Sequence, residues 1–396
     1  MSGERLRLLI AAFGDPGHAF PAIALARALA ERGHEVTVET WEHWREAVED
    51  AGLRFEGAEE YTVFPPPEED GFADAAQAAI ALLPLLDELR PDAVVSDILT
   101  LAPTLAAEAA GCRLATLIPH VYPVHEPGQP FFAFGWLPPR TPVGRAAWRA
   151  ALPVLVGGLE RGRRELNESR ERVGLAPLER FHGGISERLA LVATFPQLEY
   201  PRRWPAGVEI TGPMQFELPF ADVEIPDGDG PLVLVAPSTA PDPECRMLRA
   251  AFEGLAGEPV RVLGTTNRHL PAEPIEVPAN AACVEWISYS QAMFAADLVI
   301  CHGGHGTIAR ALSAGVPVLS CPAVGDMAEN GARLQWAGAG LMVPWRLTGP
   351  ASIRWAARRM LAERWFGVRA REIATWAAAN DGAGRGALLV EELGRD

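Results

Sequence analysis

The chain has 396 residues, of which 48% are hydrophobic and 22% charged, and its formal net charge at pH 7 is −16. This composition is typical of a soluble globular protein with room for two domains, and the negative charge argues against nucleic acid or an anionic membrane surface as the main partner. All basic residues are arginine or histidine, and the lack of lysine excludes Schiff-base chemistry and a P-loop lysine.

Cysteine usage and hydropathy indicate the cellular setting. The five cysteines include no Cys-x-x-Cys pair, so neither a disulfide framework nor a zinc knuckle is indicated. The sequence shows no signal-peptide pattern and no apolar run of the ~18–20 residues that a membrane span requires. We therefore expect a cytoplasmic protein without integral membrane association, either a monomer or a homodimer.

In the first half, short apolar runs alternate with helical periodicity. Strands are predicted at residues 7–13, 35–40, 92–97 and 113–118, and helices at 21–32, 43–51, 101–110 and 152–173. This alternation predicts βαβ units, a parallel sheet and right-handed crossovers. The segment 119–142, rich in proline and aromatic residues, interrupts the order, and long loops of this kind are usually functional or disordered.

A linker is predicted at residues 217–230, which are rich in Pro, Gly and Asp and have no helical period. The alternation then restarts, with strands at 232–236, 260–264, 298–301 and 316–320, and helices at 244–255, 306–313, 351–362, 369–379 and 386–393. We therefore predict two doubly wound α/β domains, residues 1–216 and 231–370, which face each other across a ligand-binding cleft. Helices within 371–396 are expected to pack back toward the first domain.

The most informative motif is CHGGHGT at 301–307, which follows an apolar strand and precedes a helical stretch. The first N–H groups of a helix are unsatisfied and carry the positive end of its dipole, so a glycine-rich turn at this point is suited to bind phosphate. His302 and Thr307 add side-chain donors. The spacing differs from the G-x-G-x-x-G of dinucleotide folds. A tight turn that needs glycine for positive φ is the alternative.

A second turn, GDPGH at 14–18, lies between the first strand and the first helix. Taken alone, His18 fits a phosphate cradle, a helix-capping position or a catalytic base. Asp97 ends another strand of the same predicted sheet, where a residue that caps the next helix is the alternative to a functional role.

The span 283–343 resembles the donor-binding signature of the UDP-glycosyltransferase superfamily, which includes bacterial enzymes that glycosylate macrolides, enediynes and glycopeptides. The shared order is an aromatic residue, a short helix, a strand, His-Gly-Gly-x-Gly-Thr, Gly-Val-Pro, and an acidic residue followed by asparagine. The first domain shares the pattern Gly17-His18-x-x-Pro21 and the segment RGHEVT at 32–37. The resemblance covers both domains and implies the GT-B fold, two Rossmann-like doubly wound domains facing across a cleft.

The resemblance also implies a donor site in the second domain. Trp286 would stack on the nucleotide base, the backbone of Ile287 would bond the base edge, and Asp326 would face the sugar hydroxyls. Met327 stands where the family often has glutamine and, because a thioether is a poor hydrogen-bonding partner, favours a deoxysugar over glucose. The diphosphate would be held by residues of two turns and one helix: Ser238, Thr239, His302, Gly303, Gly304, Gly306, Thr307 and Asn330.

In the first domain, the resemblance implies that His18 is a general base that deprotonates the acceptor hydroxyl, while Asp97 holds the other imidazole nitrogen. Attack from the face opposite the leaving nucleotide would invert the anomeric configuration. His120, with Phe131, Phe132 and Trp136 of the proline-rich loop, is a candidate for the wall of an acceptor pocket. Simple loop packing is the alternative.

The sequence therefore predicts a metal-independent, inverting hexosyltransferase that needs no cofactor. Its substrates would be a UDP- or dTDP-sugar and a hydroxyl of a hydrophobic small molecule such as a natural product, phenolic or polyketide. Two alternatives stay open. One is a nucleotide-sugar epimerase of the same fold, which would act without an acceptor. The other is a non-catalytic, glycosyltransferase-like auxiliary protein, although such proteins typically lose donor-site residues.

Overall fold

The computed structural model describes residues 5–59, 71–179, 184–218, 224–238, 244–268, 270–323 and 325–396. The first domain contains a parallel sheet of seven strands in the order β3-β2-β1-β4-β5-β6-β7. The strands are β1 Arg7–Ala11, β2 Glu35–Thr40, β3 Arg54–Gly57, β4 Ala93–Asp97, β5 Leu114–Ile118, β6 Ala190–Val192 and β7 Val208–Ile210. The connecting helices are α1 Pro16–Glu31, α2 Arg45–Asp50, α3 Gly71–Leu89, α4 Leu101–Ala109 and α5 Pro142–Arg172.

The second domain contains a parallel sheet of six strands in the order β10-β9-β8-β11-β12-β13. Its strands are β8 Leu232–Ala236, β9 Arg261–Thr265, β10 Ala281–Val284, β11 Leu298–Cys301, β12 Val318–Ser320 and β13 Gly340–Met342. Its helices, with those that end the chain, are α6 Arg246–Leu255, α7 Tyr289–Ala295, α8 His305–Ser313, α9 Asp326–Ala337, α10 Pro350–Ala362, α11 Arg364–Ala378 and α12 Gly382–Arg395. Two doubly wound α/β domains confirm the predicted fold class.

The sheets form where the sequence is apolar on both faces. In β1, Leu8 and Ile10 belong to a core cluster with α1 and α12, while Leu9 belongs to a cluster with α3 and α4. Burial of both faces explains the continuous apolar run, which is typical of strands in parallel sheets. Since β1 and β4 are neighbours, the residues that follow their carboxyl ends lie close together.

Helix α1 begins at Pro16, five residues before the predicted start at Pro21. The prediction took the wrong proline as the helix start. Pro16 occupies the start of the helix, where the missing N–H costs nothing, and Pro21 is tolerated inside it. His18 therefore lies in the first turn of the helix, not in the turn before it, and its N–H bonds to the carbonyl of Asp15.

Further predicted boundaries and several elements differ from the structure; α11 and α12, for example, begin at Arg364 and Gly382 rather than at residues 369 and 386. Helix α5 begins at Pro142 rather than at residue 152, because Thr141 accepts a hydrogen bond from the N–H of Gly144 (3.1 Å) and caps the helix. The helix predicted at 43–51 is divided into a 3₁₀ turn, Glu42–Trp44, and α2. The unpredicted elements are α3, β3, β6, β7, β10 and β13, of which the strands have only three or four residues.

The two domains share buried contacts. One core cluster combines Val121, Phe195 and Leu198 of the first domain with residues of the second sheet and of α8. The last helix, α12, packs against α1 of the first domain, and the carboxylate of Glu391 accepts hydrogen bonds from Arg32 (3.0 Å) and pairs with His34 (2.8 Å). In the described part of the chain, no helix has both the length and the apolar character needed to span a bilayer.

Candidate active site

His18 and Asp97 form a close pair at the carboxyl edge of the first sheet. Asp97 is the last residue of β4, and the imidazole Nδ1 of His18 lies 2.8 Å and 3.0 Å from its two carboxylate oxygens. The Asp97 side chain is fully buried, whereas that of His18 is 15% exposed. Because Nδ1–H donates to the carboxylate, Nε2 is left as the ring nitrogen that can accept a proton.

Asp97 also holds its own turn. One of its carboxylate oxygens accepts a hydrogen bond from the N–H of Leu99 (2.9 Å) in the turn before α4. The N-cap of α4 is Thr100, so the helix-capping alternative is wrong, but Asp97 does hold this turn besides pairing with His18. This second bond fixes the carboxylate against the backbone and thereby fixes the orientation of the imidazole. His18 and Asp97 thus have the geometry expected of the predicted base and its orienting carboxylate.

Opposing effects act on the pKa of His18. Burial lowers it, but the charge and hydrogen bond of Asp97, together with the more distant Asp326 and Asp15, raise it above its ordinary value. The pKa of the neighbouring His120, whose ring centroid is 6.1 Å from that of His18, is lowered instead. Burial and the positive charge of protonated His18 lower the pKa of His120, whose Nδ1 donates to the carbonyl of Val121 (2.8 Å). A neutral His120 therefore lies beside His18.

The turn that joins β11 to α8, residues 302–304, has the geometry of an anion site; we call it the donor loop. Gly303 has φ +96°, and a Cβ there would lie 2.8 Å from the carbonyl oxygen of Met327 and 2.9 Å from the hydroxyl of Ser320. The Asn330 amide donates to the carbonyl of Gly303 (3.1 Å). Only glycine fits this close approach, so the alternative of a tight turn that requires glycine also holds at this position.

Polar atoms around the donor loop are buried without hydrogen-bond partners in the described protein: Nδ1 of His302, Oγ of Ser320 and Oδ1 of Asn330. Burial lowers the pKa of His302. The predicted Gly306 and Thr307 lie in the first turn of α8, whose N–H groups have no intrahelical partner. Buried polar atoms without partners are uncommon in proteins, and their concentration here indicates a polar ligand.

The remaining predicted donor residues lie at the same edge of the second sheet. Trp286 follows β10, and the guanidinium of Arg268 lies 4.7 Å from its ring centroid. The Ile287 side chain is buried in the core, so only its backbone is available for a ligand. The carbonyl of Ser238 accepts from Asn267 (3.3 Å). Thr239 lies outside the described residues.

Asp326 and Met327 open helix α9, with Gly325 as the residue before it. Asp326 is thus the first helical residue rather than the cap. Its carboxylate acts on the pKa values of His18, His120 and His302. The structure therefore brings the predicted base of the first domain, the donor loop and the predicted sugar-binding carboxylate of the second domain into one cleft.

The four predicted acceptor residues divide into two groups. The ring of Phe132 is 6.0 Å from that of His120, which places it in the same cleft. Phe131 is buried and packs edge-on against Trp148 of α5 (5.1 Å), so it anchors the loop to that helix. Trp136, 60% exposed, packs against Trp148 as well (5.4 Å).

Two features of the cleft were not predicted. His305, the second histidine of the motif, bonds the hydroxyl of Thr194 of the first domain (2.8 Å), and burial lowers its pKa to about 3. Because His305 is the buried first residue of a helix, no pattern in the sequence distinguishes it from an ordinary core residue. Arg333 of α9 pairs with Glu199 of the first domain (2.5 Å) and with Glu329 (2.8 Å). The spacing of Glu329 and Arg333 is a common helical pair, and the distant Glu199 leaves no signal in the sequence.

Comparison with known proteins agrees with this architecture. Residues 261–383 match the family model "Erythromycin biosynthesis protein CIII-like, C-terminal domain", and residues 22–155 match the model "Glycosyltransferase Family 4". The chain is 29% identical to 4'-demethylrebeccamycin synthase of Lentzea aerocolonigenes, with 98% of this chain and 99% of the relative covered. It is 27% identical to O-mycaminosyltylonolide 6-deoxyallosyltransferase of Streptomyces fradiae, with 98% and 97% covered.

The fold is shared with solved glycosyltransferase structures. The crystal structure of the glycotransferase of kitacinnamycin superposes with a TM-score of 0.80 at 20% identity, and the match covers 98% of this chain and 99% of that one. Both domains therefore have the arrangement of the GT-B fold. The chain therefore has the GT-B fold and is a glycosyltransferase, and it is similar to the two named relatives over nearly its whole length.

Proposed function

We propose that the protein transfers a sugar from a UDP- or dTDP-sugar to a hydroxyl of a hydrophobic small molecule, with inversion at the anomeric carbon. The observation that carries the proposal is the His18–Asp97 pair, 2.8 Å apart, in a cleft that it shares with Asp326 and the donor loop. In this arrangement, acceptor activation comes from the first domain and donor binding from the second.

In the proposed reaction, Nε2 of His18 takes the proton of the acceptor hydroxyl while the oxygen attacks the anomeric carbon. The bond from that carbon to the diphosphate oxygen breaks, and the nucleoside diphosphate leaves with the electron pair. Asp97 stabilises the imidazolium that forms, as in other base–carboxylate pairs. The base must be neutral to act, so the raised pKa of His18 sets the lower pH limit of the reaction.

On the donor side, the N–H groups at the start of α8 would take the negative charge that develops on the diphosphate. The unpartnered Nδ1 of His302 and hydroxyl of Ser320 would find partners in the bound donor. Since protein groups carry this role, we expect EDTA to leave the rate unchanged. Met327 beside Asp326 favours a sugar with fewer hydroxyls, and one relative is named as a 6-deoxyallosyltransferase.

On the acceptor side, a hydrophobic molecule would lie against Phe132 near His120 and His18. A neutral His120 beside His18 is more compatible with an apolar acceptor than a protonated, positively charged His120 would be. Names of the relatives that refer to rebeccamycin and tylonolide compounds support a natural product as the acceptor. The candidates are therefore aromatic and macrolide alcohols.

The test is a mass-spectrometric screen of UDP- and dTDP-sugars against phenolic and macrolide acceptors, with His18→Ala beside the wild type. We expect a glycosylated product in the wild type, a rate at least 100-fold lower in the variant, and inverted anomeric configuration by NMR. Full activity of His18→Ala would refute the mechanism. Deuterium incorporation at C2 of the donor without acceptor would indicate the epimerase instead. Failure to bind UDP and dTDP in calorimetry would indicate the auxiliary protein.

A further inference from the structure

A buried ion triad joins the two domains beside the cleft. Arg333 of α9 donates through Nη1 to Glu199 of the first domain (2.5 Å) and through Nε to Glu329, one turn earlier on α9 (2.8 Å). All three side chains are at most 6% exposed. The guanidinium also lies 4.0 Å from the ring centroid of Tyr200. A charge removed from water in this way is held only when its partners are well placed.

The first-domain side of the triad leads to the proline-rich loop. The second oxygen of Glu199 accepts from the N–H of Tyr122 (2.7 Å), so the same carboxylate binds Arg333 and the start of that loop. Tyr200 in turn donates to the carbonyl of Trp136 (3.5 Å). Through Glu199 and Tyr200, Arg333 is connected to both ends of the predicted acceptor wall.

The second-domain side of the triad holds the middle of that loop. We call residues 131–136 the aromatic loop. The backbone N–H of Ala133, whose φ is +72°, faces the Glu329 carboxylate and opposes the rise in its pKa that burial causes. Gly135 has φ +68°, and a Cβ there would lie 2.9 Å from Cβ of Ala328. A left-handed conformation at a non-glycine residue is unfavourable in isolation, so contacts with the first turn of α9 must maintain it.

Helix α9 also carries the donor-side groups. Asp326 opens the helix, and Asn330 holds the carbonyl of Gly303 in the donor loop (3.1 Å). One helix of 12 residues therefore bears the contact with the aromatic loop, the contact with the donor loop, the predicted sugar-binding carboxylate and the pair with Glu199. A rotation or translation of α9 would move all of them together.

A small polar cavity adjoins the triad and shows that the charges are not fully compensated. Its lining includes Arg202, Gln129, Glu329 and Arg333, and Nε of Arg202 and Oε2 of Glu329 have no partner among the described residues. Its volume of about 20 Å³ is room for about one water. The triad is thus a polar junction with room for a water rather than an apolar seal, and replacement by apolar side chains would pack the domains without fixing the direction of α9.

We propose that Arg333, through Glu199 and Glu329, is a positioning residue that sets the place of Asp326 and of the aromatic loop relative to His18. The inference rests on the proposed transferase function for its kinetic consequence. Its structural consequence, that the aromatic loop and the first turn of α9 move together, does not depend on that function. Arg333 acts through the helix and touches no reacting atom.

The kinetic test compares Arg333→Met and Arg333→Lys with Arg170→Met. Arg170 is the matched control, because it is also buried and ion-paired, with Glu108 at 2.8 Å, but lies on α5 within the first domain. We expect Arg333→Met to lower kcat about 10- to 100-fold, the effect of a misplaced reacting group. The affinity for UDP or dTDP should change less than about 3-fold, since most of the predicted contacts with the nucleobase and with the diphosphate lie on other elements. Arg333→Lys should restore part of kcat, and Arg170→Met should leave it near wild type.

A second variant guards against simple misfolding. In Glu199→Gln/Arg333→Met/Glu329→Gln no buried charge is left unpaired, so its stability should exceed that of Arg333→Met, while kcat stays low. Recovery of kcat in this neutral variant, or wild-type kcat in Arg333→Met, would overturn the proposal.

Hydrogen exchange provides a test that needs no activity. Arg333→Met should raise amide exchange in residues 131–136 and in 326–330 together, and Arg170→Met in neither. A rise in only one of the two segments would overturn the positioning role, even if no sugar transfer were detected. Absence of transfer by the wild type with coupled exchange intact would refute the proposed function alone.

Discussion

Asp97→Asn removes one charge at the fully buried partner of His18 and changes little else in volume. In the wild type, the Asp97 carboxylate accepts hydrogen bonds from Nδ1 of His18 at 2.8 Å and from the N–H of Leu99 at 2.9 Å. An asparagine can keep the bond with Leu99 through its carbonyl oxygen, and its amide then faces Nδ1. An amide N–H at that point favours the tautomer with the proton on Nε2, the nitrogen that must act as the base.

Two consequences follow for the rate and its pH dependence. With the wrong tautomer the general base is lost, and such catalysis contributes about 10²- to 10⁴-fold, so kcat should fall by that factor. Burial lowers the pKa of His18 and Asp97 is the largest influence that raises it. Without the carboxylate charge the pKa falls, and the acid limb of the kcat/KM profile moves to lower pH. In the wild type, activity should be lost as the pH falls through a value above 6.5.

The assay is the pH dependence of kcat and kcat/KM with a donor and acceptor found by the screen. Asp15→Asn is the matched control, because Asp15 is the weakest of the charges that raise the pKa of His18 and its side chain makes no capping bond. The control should shift the acid limb slightly in the same direction and keep kcat. Wild-type kcat in Asp97→Asn, or an acid limb that does not move, would show that Asp97 does not orient the base.

Three other substitutions test separate parts of the molecule. Trp286→Ala should weaken UDP or dTDP binding about 10- to 100-fold in calorimetry, since base stacking on an aromatic side chain contributes about 1–3 kcal/mol, with Trp286→Phe in between. Gly303→Ala should lower the free energy of unfolding by about 1–3 kcal/mol in urea, because its Cβ would meet Met327 and Ser320 and φ is +96°, whereas Gly306→Ala, with open space around its Cβ, should not lower it. Glu391→Gln should destabilise the protein by about 1–3 kcal/mol at pH 7. Hydrogen bonding with Arg32 and then with His34 lowers the pKa of Glu391 to about 2, so its contribution is present above about pH 4.5 and lost as the pH falls toward 2. The difference between wild type and variant in urea unfolding should vanish there.

The fold and the members of the cleft were largely predictable because they depend on local pattern. Apolar runs buried on both faces, as in β1, identify parallel strands, and residues that follow such strands meet at the carboxyl edge of a sheet. His18 follows β1 and Asp97 ends β4; the two strands are neighbours, and this alone brings the residues together. The start of α1 was wrong because two prolines, at 16 and 21, both fit the first turn of a helix.

What the sequence could not indicate are the contacts between domains. The three-residue strands β6 and β7 are too short for alternation to be visible. Glu199 lies between them, directly after a 3₁₀ turn at Pro196–Leu198, and its partner Arg333 is 134 positions away. No periodic signal connects two residues at such a distance, and His305 with Thr194 presents the same difficulty. Such pairs depend on the tertiary arrangement alone.

These contacts between domains affect the chemistry as well as the stability. The base belongs to the first domain, but Asp326 of the second raises its pKa and the triad fixes the helix on which Asp326 lies. If the domains separate, His18 loses that influence and gains water, while Asp97 stays in place on β4. The pairing with Asp97 lies within the first domain, so only the influence of Asp326 on His18 depends on the contact between the domains. Because Arg333 would act on that influence through α9, substitutions there should alter kcat and the acid limb together while the nucleotide affinity stays nearly constant.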